Sequence, residues 1–532
     1  MTPPLKSHPR LRVGLLFGIL ITELLIGTTW LDGADLIGKN GLAGQIGFVG
    51  ARVLKFLVGF AAAFAAFVGL QGNFKLPDGP FFRWPWLALH FASAVLFGFL
   101  SDTLYGRGSA RAQDLVAVAW IVVGLLTLGA LALAFYPLSS LTAVIRNSGT
   151  ASLYAAGVSA LGLAVVGLSQ STWQSAANLT FQLVQLLLRP VLPNLIVQPE
   201  RMRLQGHTFG VIINQECSGL EGVGLMLVFS VVWLWLYRAD FLFPRSLLLL
   251  PAGVVAVYLL NAVRIAMLLL LGDAGAPQIA AGGFHSQAGW IAFNGVALGM
   301  TLLVPRLRWF SRNPAAQAAP THSENPTAAY MIPFLAILAT GMITRAASAN
   351  FEWLYGLRFF AVAIALWKFR RQLRHLDWRS GLWGPTTGVF VFAIWLGFDR
   401  LQGVPTAAIP PALASGSSFA QALWIVFRAL AAITTVPIAE ELAFRGCLMR
   451  RVSSADFETI PLRSASWLGV AVSSILFGLL HGDRWIAGIL AGFAFALVAR
   501  RNNRIGDAIV AHATTNALLA WYVLYLGQWQ YW

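Results

Sequence analysis

The sequence predicts an all-α polytopic membrane protein with two helical transmembrane bundles, a cytoplasmic linker between them and about 15 spans. Composition is the first reason, because 58% of the residues are hydrophobic, 11% are charged and the mean hydropathy is +0.70. The second reason is that uncharged apolar runs of about 20 residues, the length a helix needs to cross a bilayer, recur along nearly the whole chain. A soluble fold of this composition would have too little polar surface to present to water.

Charge and cysteine content argue against two other classes of protein. The formal net charge is +16, but the Lys and Arg residues lie in short loops between apolar runs, where they set topology and contact anionic headgroups. We therefore expect membrane lipids and no nucleic acid among the partners. The two cysteines, Cys217 and Cys447, provide neither a disulfide framework nor the ligand spacing of a zinc site.

The first half of the chain contains eight predicted spans. The first run follows three basic residues and lacks a small-residue cleavage signal, so we interpret it as a retained anchor and not as a signal peptide. A mixed segment, 175–198, carries polar residues among leucines and is expected to lie along the membrane interface. The predicted spans are 12–30, 51–71, 84–100, 115–137, 151–168, 219–237, 246–271 and 287–304.

Basic residues set the orientation of these spans, since short cytoplasmic loops carry an excess of Lys and Arg. With a cytoplasmic N-terminus and eight spans, all four basic clusters of the first half fall on the inner side. The clusters are Lys6, Arg10 and Arg12, then Lys75 and Arg83, then Arg238 and Arg245, and last Arg306, Arg308 and Arg312.

This topology brings three reactive side chains to the outer surface. Cys217 precedes the sixth span, Arg264 lies near the outer end of the seventh, and His285 is in the loop that follows. A thiol is a poor nucleophile until a base or a cation favours the thiolate. His285 can take the proton and return it to a leaving amine, and the five donors of Arg264 suit a developing oxyanion. Attack on a peptide bond would give a thioester, which water or an amine resolves.

Each of these residues has an ordinary structural role open to it when it is taken alone. Cys217 could be an inert buried thiol, and Arg264 could reach from a helix end to lipid headgroups. Their presence on one predicted face favours catalysis, and Asn261, one turn before Arg264, is expected to orient it. Glu221 is either a partner of Arg264 or a packing residue, and we assign it no catalytic role.

The motifs around these three residues, ECSGLEG, NAVR and FHSQAGW, resemble the Cys, Arg and His motifs of the exosortases, bacterial multi-pass transpeptidases related to archaeosortases. The resemblance covers roughly 1–312. It implies an enzyme that processes exported proteins with a C-terminal sorting tail, made of a short motif, a transmembrane helix and a basic cluster. Such an enzyme cuts at the motif and passes the acyl group to an acceptor.

A linker at 313–328, rich in Pro, Ala and Ser, separates the first domain (1–312) from a second hydrophobic domain (329–532). Basic clusters at 368–379 and 500–504 are expected to be cytoplasmic. Pro437 and the segment 440–463 leave a broken or re-entrant helix open. The seven predicted spans are 330–345, 352–367, 382–398, 418–438, 465–480, 485–499 and 507–527.

Charged residues inside the second bundle predict another functional site, because ionisable groups are costly in lipid. AEELAFRG places Glu440, Glu441 and Arg445 in helical register, with Glu441 and Arg445 one turn apart. We expect one carboxylate to act as a base while the other holds the arginine, and we assign Glu440 as the base that activates water.

Two histidine motifs complete this second predicted site. LFGLLHG places Phe477 and His481 on one helical face, and AHATTNA does the same for His512 and Asn516. We expect His481 to assist Glu440, and His512 and Asn516 to stabilise the oxyanion of the attacked carbonyl.

Two alternatives to catalysis stay open for this second set of residues. The carboxylates and the arginine could form a structural ion-pair network between helices. One Glu and two His residues could hold zinc, although the sequence has no HExxH motif and the residues are spread over three helices. We assign no metal ligand and no cofactor, and we expect Cys447 to be a small packing residue.

The second set of motifs also resembles a known family. EELAFR, FGLLH and HATTN match the EExxxR, FxxxH and HxxxN motifs of the CAAX prenyl protease and bacteriocin-processing group of intramembrane glutamate proteases. This resemblance covers roughly 329–532 and implies peptide cleavage. A chain with both resemblances is similar to the fused exosortase E/protease type, whose substrates carry a sorting motif of the Val-Pro-Glu-Ile-Asp kind. It implies tailed exported proteins as partners and the inner membrane of a bacterium as the location.

Two functions of other classes compete with this interpretation. In a transporter or a lipid-linked sugar transferase, the intramembrane Glu, Arg and His residues would line a substrate path. Inverted repeats would favour that function, and none is evident between the two halves. In a non-catalytic immunity-type protein, the C-terminal half would serve for binding alone.

Overall fold

The computed structural model describes residues 83–105, 110–147, 149–214, 217–312 and 325–532, together with scattered positions between 16 and 64. Spatial contacts divide the chain into two compact units, Met1–Ser171 and Thr172–Trp532. Most of the predicted spans 12–30 and 51–71, and most of the predicted linker 313–328, lie outside the described residues. The division at that linker therefore stays a prediction.

In the first unit, two long helices pack against each other as a hairpin. They are α1 (Trp84–Tyr105) and α2 (Ala110–Phe135), followed by the short α3 (Leu138–Asn147) and by the start of α4 (Ala151–Leu188). A few polar bonds tie the hairpin together: Trp120 Nε1 donates to Ser101 Oγ at 2.8 Å, and His90 Nδ1 lies 3.0 Å from the carbonyl oxygen of Thr127. Many of the remaining side chains are exposed and apolar, as expected of helices that face lipid.

The predicted break between 151–168 and 175–198 is wrong, because α4 continues from the first segment into the second, as far as Leu188, as one helix of 38 residues. No proline interrupts it, and its Ser, Gln and Ala residues are compatible with a helix interior. At 1.5 Å per residue it is about 57 Å long, well beyond a hydrocarbon core of about 30 Å. Ala177, Phe181, Val184 and Leu188 form a buried stripe at helical spacing, so this end of α4 packs on protein.

A small sheet that the sequence analysis missed lies between α4 and Cys217. Its strands β1 (Ile196–Gln198), β2 (Arg203–Gln205) and β3 (Gly210–Ile212) pair antiparallel in that order. Asp273 secures the turn between β2 and β3, since its Oδ1 accepts the backbone N–H of Thr208 at 2.7 Å. Leu204 and Val211 pack into the same core as Leu269, so the sheet covers the end of the helix that carries Arg264.

Three helices follow the sheet: α5 (Leu220–Leu236), α6 (Leu249–Asp273) and α7 (His285–Leu303). Their common core contains Met226, Trp233, Val257 and Met300. A π-helical turn, Ala280–Phe284, leads directly into α7. The predicted spans 219–237, 246–271 and 287–304 therefore correspond to helices to within a few residues.

The second predicted domain is a bundle of seven helical segments. They are α8 (Pro326–Ala346), α9 (Gly356–Phe369), α10 (Trp383–Leu401), α11 (Ser418–Arg451), α12 (Trp467–Leu479), α13 (Trp485–Asn502) and α14 (Ile505–Leu526). The side chains of Asn325, Ser417 and Ser466 cap the N-termini of α8, α11 and α12 by accepting backbone N–H groups. Each of the seven apolar runs predicted in this half therefore corresponds to a helix.

The segment that carries the glutamates, α11, is helical throughout although it contains Pro437. Two π-helical stretches, Ala431–Thr435 and Leu442–Leu448, lie on either side of the Val436–Glu441 turn. The wider π turns take up the proline without interrupting the helix, so the broken helix that the sequence left open does not occur in α11. Extra residues of this kind in a helix often occur at functional sites.

Eight helices of the described residues are long and apolar enough to cross a membrane. Together with the almost complete lack of sheet, they show an all-α multi-pass membrane protein. The predicted number of about 15 spans stays a prediction.

We expect Asp507→Ala to lower the melting temperature of the protein in detergent. Asp507 is fully buried, and its Oδ1 accepts the N–H of Gly381 at 2.8 Å while its Oδ2 accepts the amide of Asn502 at 2.9 Å. Loss of the buried carboxylate removes both hydrogen bonds, at a cost of about 0.5–1.5 kcal/mol for each bond. Asp483→Ala, at an exposed position, serves as the control. A melting temperature of Asp507→Ala equal to that of the control would contradict the prediction.

Candidate active sites

The backbone at Cys217 is held in place by hydrogen bonds to neighbouring residues. The Cys217 N–H donates to the carbonyl oxygen of Asn214 at 3.1 Å, and the Cys217 carbonyl accepts from Nδ2 of Asn261 at 3.0 Å. Gly219 follows with a φ of +83°, and a Cβ there would lie 2.9 Å from the same Asn261 nitrogen. Glycine is required at this position for both conformation and space. The half-buried Cys217 thus stands in a fixed turn just before α5.

Asn261 also binds the arginine of the predicted trio. Its Oδ1 accepts from Nη1 of Arg264 at 3.1 Å, while its Nδ2 is occupied by the Cys217 carbonyl. The two residues are three apart on α6 and therefore lie on one face. Gly289 of α7 leaves room for the guanidinium, since a Cβ at that position would be 3.3 Å from Nη1. A single, nearly buried amide thus connects the cysteine turn with Arg264.

A cavity of about 410 Å³ lies beside this connection. Its wall includes Arg264 and His285, with Asn261 and Gly219 next to them, and the remainder comes mainly from α5 and α7. The structure therefore brings the predicted guanidinium and imidazole to one cavity, and Cys217 lies two residues before Gly219 in its wall. That the sulfur acts together with these two groups stays a prediction.

Glu221 lines the same cavity but is exposed. Among the ion pairs within 4.0 Å in the described part of the chain, none joins Glu221 to Arg264. Of the two roles that the sequence left open for Glu221, pairing with Arg264 is therefore not the one the structure adopts.

The second set of residues centres on a buried carboxylate. Glu441 Oε1 accepts from Nη1 of Arg445 at 3.1 Å and lies 3.0 Å from Nδ1 of His512. Arg445 also donates through Nη2 to the carbonyl oxygen of Gly492 at 2.9 Å, and its Cζ lies 4.4 Å from the ring centroid of Phe477. The side chains of Glu441 and Arg445 are 0% exposed, so the pair is rigid and shielded from water.

Glu440 has a different environment from Glu441. Its side chain is 15% exposed, and its Oε2 lies 4.0 Å from Nε2 of His512. His512 therefore stands between the two glutamates, with one ring nitrogen towards each. When His512 donates Nδ1–H to Glu441, its Nε2 is an acceptor that faces Oε2 of Glu440. A donor placed beside these two atoms can then hydrogen-bond to both.

His481 lines the cavity of this second site but is fixed by the backbone. Its Nδ1 lies 2.8 Å from the carbonyl oxygen of Phe477, to which it donates, so Nε2 is the acceptor nitrogen. Its ring packs between Phe477 and Trp395, with centroid distances of 4.8 Å and 5.4 Å. The contact of Glu440 within 4.0 Å is with His512, and not with the His481 that the sequence analysis paired with it.

The amide of Asn516 has a structural partner that the sequence analysis did not foresee. Its Nδ2 donates to the carbonyl oxygen of Ala432 at 2.7 Å. In the π turn the N–H of Val436 bonds the carbonyl of Ala431, so the next donor in the series would be residue 437, which is a proline without N–H. Asn516 satisfies the carbonyl that Pro437 leaves unpaired. One of its two amide hydrogens remains for the cavity.

The cavity of the second site has a volume of about 220 Å³ and joins polar groups with aromatic walls. His481, His512 and Asn516 line it, together with Tyr355, Val391, Trp395, Arg428, Ala432, Val436, Phe477, Ala491, Phe495, Thr515, Leu519, Tyr531 and Trp532. In the described ranges, no group of three or more His, Cys, Asp and Glu side chains could hold a metal ion.

Arg428 is a cavity residue that the sequence analysis missed. Its Cζ lies 4.2 Å from the ring centroid of Tyr355 and 5.8 Å from that of Trp532. The available signal was a single arginine inside the apolar run 418–438, which is unusual in a membrane helix. Cys447, in contrast, is buried in an apolar cluster with Tyr330 and Phe457, as a packing residue would be.

The chain at the C-terminal end of α8 adjoins elements of both cavities. The carbonyl oxygens of Arg345 and Ser348, at the C-terminal end of α8, contact Gly283, two residues before His285. The chain then reaches Tyr355, which lines the second cavity. The basic clusters at 368–379 and 500–504, which the sequence predicts to be cytoplasmic, lie at the C-terminal ends of α9 and α13. Tyr355, in contrast, precedes the N-terminal end of α9.

Two family profiles match the chain. Residues 54–303 match the transmembrane exosortase (EpsH) family, and residues 422–518 match the type II CAAX prenyl endopeptidase Rce1-like family. The first range contains Cys217, Arg264 and His285, and the second contains all the predicted residues of the glutamate site. No curated protein and no solved structure matches. Both families are membrane peptidases, so the chain is a membrane-bound peptidase or transpeptidase. It is a fusion of an exosortase with a CAAX protease-like domain.

Proposed function

We propose that the exosortase half is a cysteine transpeptidase that cuts the C-terminal sorting tail of exported proteins. The observation that carries this proposal is that Arg264 and His285 line one cavity, while Asn261 binds both Arg264 and the Cys217 turn. A nucleophile, a base and an oxyanion donor are the three groups that acyl transfer requires.

The reaction begins when His285 takes the thiol proton and the Cys217 sulfur attacks the scissile carbonyl. Arg264 donates to the oxyanion of the tetrahedral intermediate. The C–N bond then breaks as His285 returns the proton to the leaving amine, and a thioester remains on Cys217. An acceptor amine or water attacks the thioester, forms the new acyl bond and restores the thiol.

The substrate side of the proposal follows from the membrane setting. A tail with a transmembrane helix and a basic cluster would lie in the bilayer with its basic end in the cytoplasm and its motif at the outer surface. Exported proteins with such tails, including tails with a motif of the Val-Pro-Glu-Ile-Asp kind, are the proposed partners. The proposed location is the inner membrane of a bacterium, with the N-terminus in the cytoplasm.

For the second half, we propose an intramembrane glutamate endopeptidase. Glu441 holds Arg445 and His512, which leaves the more exposed Glu440 as the carboxylate that activates water. Glu440 takes a proton from water as the oxygen attacks the peptide carbonyl, and then passes it to the leaving amine. The second amide hydrogen of Asn516 faces the cavity and would donate to the oxyanion, as would His512 when both of its ring nitrogens carry protons. His481, whose Nε2 is an acceptor, would instead accept from the attacking water and so assist Glu440.

The first test compares the two cysteines. We expect Cys217→Ala to abolish cleavage of a tailed substrate and to remove the thioester that mass spectrometry should trap on the wild-type protein. Cys447→Ala is the matched control, because Cys447 is buried among apolar side chains and its loss should leave cleavage intact. Continued clearance of the tail by Cys217→Ala would refute transpeptidation by this residue.

The second test separates the two glutamates. Glu440→Gln should abolish proteolysis by the second half and leave the melting temperature near that of the wild type, since Glu440 holds no arginine. Glu441→Gln should lower stability strongly, because an unpaired buried arginine costs about 3–5 kcal/mol. Peptide cleavage and thermal unfolding in detergent measure the two effects. Full proteolysis by Glu440→Gln would rule out Glu440 as the base.

A further inference from the structure

The turn that carries His285 packs directly on the C-terminal end of α8. A Cβ at Gly283 would overlap the carbonyl oxygen of Arg345 and would lie 2.5 Å from that of Ser348. At Gly282 a Cβ would lie 3.5 Å from the carbonyl oxygen of Ala349, an ordinary contact distance. The backbone of the turn therefore touches the backbone of α8 at Gly283, and only glycine fits there.

The two carbonyl groups that the turn contacts, those of Arg345 and Ser348, are held in place by the hydrogen bonds at the end of α8. The carbonyl oxygen of Arg345 accepts the N–H of Ser348 at 3.0 Å, and Arg345 Nε donates to the carbonyl of Gly341 at 3.1 Å. Ser348 Oγ donates to the carbonyl of Thr344 at 2.7 Å, and both of these residues are buried. These bonds lie within the end of α8 and fix the two carbonyl groups to the helix, so neither group can turn away alone. A side chain at position 283 would therefore push the turn and the end of α8 apart.

A displacement at Gly283 would reach His285 within two residues. The π turn Ala280–Phe284 continues without a break into α7, whose first residue is His285. Ser286 Oγ donates to the carbonyl oxygen of Gly282 at 3.1 Å, which makes the turn and the start of the helix one rigid piece. The position of the imidazole thus depends on where the turn rests.

We propose that the end of α8 is the support that positions His285, with Gly283 as the positioning residue. The exosortase site is then complete only while the second half of the chain packs against it. The inference rests on the proposed function, in which His285 takes the proton of the Cys217 thiol. α8 lies between the two ranges that match known families, as expected of a contact that belongs to the fused chain.

The test uses the reactivity of Cys217 in a Cys447→Ala background, where it is the single thiol. The rate of alkylation by iodoacetamide is measured at about six pH values between roughly 5 and 10, a range that includes the usual pKa of a thiol. The four proteins compared are this parent and its variants Gly282→Ala, Gly283→Ala and His285→Ala. Gly283→Ala should shift the profile towards that of His285→Ala, with a rate at neutral pH lower by about tenfold or more. Gly282→Ala should keep the parent profile.

The outcomes separate the inference from the proposed function. A parent-like profile for Gly283→Ala overturns the inference. If His285→Ala itself has the parent profile, the proton transfer in the proposed function fails, and the inference falls with it. A shift for Gly283→Ala and none for Gly282→Ala supports both.

A second measurement covers the case in which Gly283→Ala does not fold. A chain with Cys217→Ala, Cys447→Ala, Gly282→Cys and Ala349→Cys also receives a protease site within residues 313–324 of the linker. After treatment with a short thiol crosslinker and then with the protease, the two halves should stay covalently joined. Separation of the halves under conditions that modify both cysteines overturns the inference.

Discussion

The exosortase site depends on one side-chain amide. Asn261 donates to the carbonyl of the Cys217 turn and accepts from Arg264, so it fixes the proposed nucleophile and the proposed oxyanion donor relative to each other. It is 8% exposed, and a hydrogen bond shielded from water is stronger and better directed than one in solvent. Gly219 and Gly289 provide the close approach that this arrangement needs. The cavity beside it brings in His285 from α7, and the turn before His285 is in turn supported by α8.

The two sites of this fusion hold their side chains in place in different ways. The exosortase site joins residues from a turn, a helix and a helix start around an accessible cavity. The glutamate site buries its central ion pair fully and leaves Glu440 partly exposed, 4.0 Å from the His512 that lines the cavity. A buried pair such as Glu441 and Arg445 contributes little net stability, because desolvation offsets the attraction. Its value is geometric: it fixes His512 between the two glutamates and so distinguishes Glu440 from Glu441.

Much of the fold follows from local sequence, and the departures have identifiable causes. Apolar runs predicted the helices because hydropathy and length are properties of a single segment. The three strands near Cys217 are three residues each, too short for an alternating pattern to show. The continuity of α4 was missed because polar residues in its second part suggested an interface, whereas they lie opposite a buried stripe. The bond between Asn516 and Ala432 depends on Pro437 in another helix, and no local pattern reports such a contact.

The central claim is that the hydrogen bonds of Asn261 couple the position of the Cys217 turn to that of Arg264. A double-mutant cycle with Asn261→Ala, Arg264→Ala and the double variant, read as the rate of thioester formation on Cys217, tests it most directly. We expect the losses to be strongly non-additive, with a coupling of at least about 1 kcal/mol, because either change disrupts the same arrangement. Additive losses would show that the two residues act independently and would contradict the account.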